Sequence, residues 1–166
     1  MKPVIIALGI GSNLEKRRHL QNAINALHEI FGNIDVSPVY RSASVGFDGP
    51  DFFNLVVVTE TTLSVSDLHT ELRALEKAEG RTRVGERFSV RSLDIDILLY
   101  GDANLHGHGF DIPRGEILEH DYVLKPLTDL LPETCHPQNG RSFGDLWTEY
   151  ANTNEVNIAP SGFTLI

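Results

Sequence analysis

Asp94 and Asp96 stand two residues apart in the run Leu93-Asp94-Ile95-Asp96-Ile97, and four arginines (Arg81, Arg83, Arg87 and Arg91) closely precede them. The alternation of apolar and acidic residues has the period of a half-buried β-strand. Both carboxylates then leave one face of that strand, roughly 6.5–7 Å apart along the backbone. Such a pair can hold one hard divalent cation or bridge two, and magnesium favours carboxylate oxygens completed by substrate phosphates. Arginine supplies the planar fork that grips phosphate. Carboxylates for a cation beside guanidinium groups for a polyanion are the ingredients of a phosphoryl-transfer site. The competing reading is two acids on the wet face of an antiparallel strand, next to a solvated charged loop. Against it, aspartate is a poor strand former, and two like charges on one face repel unless something neutralises them.

Other candidate motifs say less. Phe52 and Asn54 share a strand face at i, i+2, where a ring can stack on a flat heterocycle while an amide both donates and accepts. Core packing of Phe52 is the simpler alternative. Gly9-Ile10-Gly11 lacks the third glycine of a dinucleotide fingerprint, because Leu14 stands there, and no G-x-x-x-x-G-K-[ST] sequence occurs. Those glycines are read as allowing a tight strand-to-helix turn. The histidines show no H-E-x-x-H spacing, which argues against zinc.

The elements that must position these residues follow from periodicity. Residues 4–10 form an apolar, branched run read as a buried strand. A helix follows, capped by Ser12 or Asn13, with Leu20, Ala23, Ile24, Leu27, Ile30 and Phe31 on its apolar face. Residues 34–41 read as a second strand, with Pro38 marking an edge or bulge, and residues 42–51 as a surface loop. A third strand spans residues 52–61. Ser64 or Ser66 caps a second helix carrying Leu68, Leu72 and Leu75, which ends near Gly80. The arginine-rich loop leads into a fourth strand at residues 93–100. The order β-α-β-β-α-β predicts an α/β, ferredoxin-like core: two helices on one face of an antiparallel sheet, with additional C-terminal elements. Among these, residues 101–109 read as a loop or hairpin, a short helix is expected near residues 126–131, and Phe143, Leu146 and Trp147 suggest another amphipathic turn or two.

At 166 residues the chain is expected to form a single domain, 1–166, with a sizeable core. Its net charge of −9 argues against nucleic-acid or acidic-membrane partners, which makes the local excess of arginine over acid at residues 81–91 informative. A single cysteine, Cys135, rules out an intrachain disulfide and fits a cytoplasmic, monomeric protein. The apolar stretch near the N-terminus is too short for a membrane span or signal core.

Around the aspartate pair the chain resembles the 6-hydroxymethyl-7,8-dihydropterin pyrophosphokinase family of folate biosynthesis. The resemblance covers most of residues 4–135. It rests on Gly11-Ser12-Asn13-Leu14, Val39-Tyr40-Arg41-Ser42, Pro50-Asp51-Phe52-Phe53-Asn54, Glu76, Gly80-Arg81-Thr82-Arg83 and Arg91-Ser92-Leu93-Asp94-Ile95-Asp96-Ile97. It closes with Tyr122-Val123-Leu124-Lys125-Pro126-Leu127 and Leu131-Pro132-Glu133. The resemblance implies transfer of the β,γ-diphosphate of ATP to the pterin hydroxymethyl oxygen, with release of AMP. It implies that Asp94 and Asp96 hold two Mg²⁺ ions, and that Arg81 and Arg91 bind phosphates and take part in catalysis with Asp96. Arg83 and Arg87 would belong to a loop closing over ATP. Phe52 and Tyr122 would sandwich the pterin, whose edge Asn54 and the backbone around Ser42 and Val45 would read, and Ile97 would line an adenine pocket.

The chain departs from the family pattern on the nucleotide side. Ser89-Val90 replaces Gly-Pro before Arg91, and Phe88 stands where tryptophan is common. Arg114 replaces a histidine that contacts ATP, and His120 stands where an arginine is expected. Arg114 is accordingly expected at the nucleotide. A second reading is a pterin- or nucleotide-binding homologue without transferase activity, acting as a regulator. An RNA-binding module of the same topology would need an aromatic-basic signature that is absent.

Overall fold

The computed structural model describes residues 2–43, 50–80 and 93–166. Strand β1 (Val4–Ser12) lies between β5 (Asp94–Tyr100) and β4 (Phe52–Thr61), antiparallel to both. Beyond β4 come the short strands β2 (Asp35–Val36) and β3 (Tyr40–Ser42), and β6 (Ala159–Pro160) pairs with β3. With β5 at one edge and β1 next to β4, this is the antiparallel order expected for a ferredoxin-like core.

Alternation along the strands sorts side chains between two faces. Ile6, Leu8 and Ile10 of β1, Phe53, Leu55 and Val57 of β4, and Ile95 and Ile97 of β5 join one buried cluster. Helices α1 (Lys16–Phe31) and α2 (Val65–Ala78) cover that face with Leu20, Ala23, Ile24 and Leu27, and with Leu68, Leu72 and Leu75. The other face is split. Its apolar half, Ala7, Val56, Val58, Leu98 and Leu99, lies under α3 (Asp121–Leu130) and α4 (Phe143–Thr153). Its polar half carries Gly9, Gly11, Asn54, Asp94 and Asp96. An extra residue, Leu98, is inserted in β5 where the register against β1 shifts, so Leu98 and Leu99 both reach the second core. Among the described residues no helix is long and apolar enough to cross a membrane.

Several local expectations need correction. Neither Ser12 nor Asn13 caps α1: Ser12 closes β1 and donates to the carbonyl of Leu14 (3.2 Å), while Glu15, with φ of 45°, takes the cap position without a side-chain bond. Ser64 rather than Ser66 caps α2, its Oγ accepting from the Asp67 N–H at 3.1 Å. The expected strand over residues 34–41 divides in two. Ser37 N–H donates to Val56 O, and Ser37 Oγ accepts from Val56 N–H, both at 2.9 Å. The side chain thus takes over a ladder bond just before Pro38, which has no N–H. Residues 101–109, expected as a loop or hairpin, form a loop with a turn and a short 3₁₀ segment. Helix α3 begins at Asp121 and carries Pro126 inside it, earlier than the expected start near residue 126. Pro126 lacks the N–H that Tyr122 O would receive, which made the sequence read as a helix start. Helix α4 runs eleven residues, longer than the turn or two expected.

Candidate active site

The polar half of the sheet is assembled from three adjacent strands. In register, Asp94 faces Gly11, Asp96 faces Gly9, Gly11 faces Asn54, and Asn54 faces Tyr40. Asp94 and Asp96 therefore leave the same face, as their spacing predicts. The glycines lie inside β1, not in a turn after it, which corrects the sequence reading. A Cβ on Gly11 would meet Asn54 Oδ1 at 3.0 Å, and one on Gly9 would meet the Leu98 side chain at 3.2 Å. Glycine leaves the floor beside the carboxylates clear and lets the neighbouring strand's side chains cross it.

Asp96 is largely buried and sits between two arginines. Its Oδ1 is 3.7 Å from Arg73 Nη2 and its Oδ2 is 3.6 Å from Arg114 Nη2. Arg114 also donates from Nη2 to Glu116 at 3.0 Å, and its backbone N–H donates to Leu98 O at 3.0 Å, docking this loop on β5. Burial pulls the Arg114 pKa down, but Asp96, Glu116 and Asp94 outweigh that and hold it above its ordinary value. These carboxylates thus hold the Arg114 guanidinium in its charged form.

The carboxylate strand is an edge strand, and α2 closes its open side. Glu76, only 2% exposed, accepts the Ile95 N–H at 2.7 Å and bonds Arg73 Nη1 with its other oxygen. Arg73 Nη2 donates to Ile95 O at 3.2 Å. One carboxylate and one guanidinium thereby satisfy both outward backbone groups of the residue between the two aspartates. Sequence reasoning assigned no role to this clasp. The available signal was Glu76 itself, four residues after Leu72 and so on the face that the apolar stripe of α2 buries.

The remaining candidates distribute unevenly. Asn54 and Ser42 are buried and joined, Asn54 Nδ2 donating to Ser42 Oγ at 2.7 Å. Phe52 pairs with Ser42 across β3 and β4, and its ring lies within 3.8 Å of a Cβ built on Gly11. Tyr122, the second residue of α3, stacks on His120 with centroids 4.8 Å apart and planes at 12°. The side chain of Ile97 packs into the helix-side core, on the face away from the carboxylates. The period of two that sends Asp94 and Asp96 to one side sends Ile95 and Ile97 to the other. Val45, Arg81, Arg83, Arg87 and Arg91 lie outside the described residues.

Among the described residues no cluster of three or more potential ligand side chains occurs. Two oxygen ligands on one face, over a glycine floor and drawing guanidinium counter-charge, fit a hard divalent ion that takes its other ligands from phosphate and water.

The family model described as 7,8-dihydro-6-hydroxymethylpterin-pyrophosphokinase matches residues 7–132. A protein of Pseudomonas aeruginosa named 2-amino-4-hydroxy-6-hydroxymethyldihydropteridine pyrophosphokinase is 36% identical over 145 residues, covering 85% of this chain and 88% of its own. The Synechocystis protein of the same name is 32% identical over 157 residues, covering 92% and 80%. Among solved structures, Plasmodium falciparum HPPK-DHPS with pteroate superposes with a TM-score of 0.72 at 14% identity. It covers 91% of this chain, which spans 43% of that longer one.

Proposed function

Because the chain belongs to the 7,8-dihydro-6-hydroxymethylpterin-pyrophosphokinase family, we propose that the polar half of its sheet is where diphosphate passes from ATP to the hydroxymethyl oxygen of the pterin. The activity is that of the family: an ATP-dependent diphosphate transfer in folate biosynthesis. The hydroxymethyl oxygen attacks the β-phosphorus, the bond from that phosphorus to the α,β-bridging oxygen breaks, and AMP departs with that oxygen. The shared face of Asp94 and Asp96, neighboured by Gly11 and Asn54, carries this reading.

Asp94 and Asp96 would hold two Mg²⁺ ions, which when bound neutralise the triphosphate and acidify the attacking hydroxyl. Asp96 receives the hydroxyl proton, a role that needs no unusual basicity once the hydroxyl is acidified. Phe52 and Tyr122 stack on the two faces of the pterin, and Asn54, fixed by Ser42, reads its edge. The backbone near Val45 contributes to the same edge. Arg81 and Arg91 grip the phosphates, while Arg83 and Arg87 close over ATP and exclude water. Arg114 meets the nucleotide from the far side of β5. Ile97 can contribute to an adenine pocket through its backbone, since its side chain is committed to the core. The chain acts as one domain and one monomer, with both apolar clusters built on the same sheet.

Incubation with ATP, Mg²⁺ and 6-hydroxymethyl-7,8-dihydropterin is expected to yield AMP and the pterin diphosphate in equal amounts. Formation of ADP, or no consumption of ATP, would contradict the proposal.

A further inference from the structure

The geometry points to Arg114 as an exchangeable counter-ion of Asp96, holding the carboxylate while no cation is bound and passing to the triphosphate when cation and nucleotide arrive together. This deepens the reading above and rests on Asp96 being a cation ligand.

Among the described residues two guanidinium groups flank Asp96, and they are fastened differently. Arg73 is fixed by Glu76, by Ile95 O and by its Nε–H to His69 Nε2 at 3.2 Å. Among the described residues the Arg114 side chain donates one hydrogen bond, to Glu116, and its Nε is buried with no acceptor. A buried donor without an acceptor is unfavourable, so this arrangement leaves Arg114 a reason to move towards an incoming phosphate oxygen. Its separation from Asp96, 3.6 Å, is too long for a direct hydrogen bond yet close enough for strong attraction. Arg114 thus faces Asp96 as a charge without a direct hydrogen bond to it, and a cation must compete with that charge to reach the carboxylate.

Two effects of opposite sign follow. Without nucleotide, Arg114 opposes cation binding. With nucleotide, the same guanidinium neutralises phosphate charge and favours the loaded state. Cation and nucleotide affinities are then coupled through one side chain, and the coupling is reciprocal.

The test is a Mn²⁺ titration of the full chain, following free Mn²⁺ by electron paramagnetic resonance, with and without α,β-methylene-ATP, whose replaced bridge prevents transfer. Arg114→Gln is expected to tighten Mn²⁺ binding about tenfold without nucleotide and to weaken binding of the Mn²⁺–nucleotide complex by a similar factor. Changes of the same sign in both arms, or no change in either, would overturn the inference. Should Arg114→Gln fold poorly, Arg114→Lys decides: a shorter side chain without the guanidinium fork should shift both affinities in the same two directions by a smaller factor, and parental affinities in both arms would overturn the inference. An Asp96→Asn control separates the two levels. If Mn²⁺ binds that variant as it binds the parent, the cation site itself is misplaced; if binding is lost there but insensitive to Arg114, only the counter-ion role fails.

Discussion

Asp96→Asn is expected to lower the rate of AMP formation by at least about a thousandfold, equivalent to roughly 4 kcal/mol of transition-state stabilisation. The substitution keeps shape and removes charge. An amide is a weaker ligand for a hard cation and cannot take up the hydroxyl proton, so one change removes both functions assigned to this residue. Asp96 is flanked by Arg73 and Arg114, and the variant leaves those guanidinium groups facing a neutral partner. The fold itself rests on two apolar clusters that Asp96 does not join, so the thermal midpoint is expected to move little. A variant that folds normally and keeps near-parental turnover would remove Asp96 from the chemistry.

The second large effect is expected at Glu76, which holds the edge of β5. Glu76→Ala leaves the Ile95 N–H and the Arg73 guanidinium without the carboxylate they share. Breaking a buried charged pair from one side destabilises by about 3 kcal/mol, which for a chain of this size lowers the melting midpoint by about 10 °C. Turnover should fall as well, because Ile95 lies between the two aspartates and its backbone sets their spacing. Glu76→Gln retains an acceptor for the Ile95 N–H and should lie between parent and alanine variant. Calorimetry of the three proteins checks this order; an alanine variant as stable as the parent would show that the clasp does not hold the strand.

How much of this was legible beforehand depended on whether a feature is local. The strand at β5, the helical stripes of α1 and α2 and the shared face of Asp94 and Asp96 follow from periodicity alone, and the structure bears them out. The break at Ser37 was not legible, because it depends on Val56, nineteen residues away, donating its N–H to the Ser37 hydroxyl in place of a backbone carbonyl. The purpose of Gly9 and Gly11 was misread for the same reason: the atoms that exclude a Cβ there belong to Leu98 and Asn54 on neighbouring strands. The start of α3 was hidden by Pro126, which looks like a first-turn residue yet stands in the helix interior. Arg73 gave no signal, since an arginine on a helix reads as solvated until the strand it reaches is known.

The central claim is that Asp94 and Asp96 together hold the divalent cations on which the triphosphate lies. Crystals grown with Mn²⁺, α,β-methylene-ATP and 6-hydroxymethyl-7,8-dihydropterin, measured at a wavelength where manganese scatters anomalously, test it most directly. Two anomalous peaks within coordination distance of these carboxylates and of the phosphate oxygens are predicted. Peaks elsewhere, or a nucleotide bound away from this face of the sheet, would contradict the account.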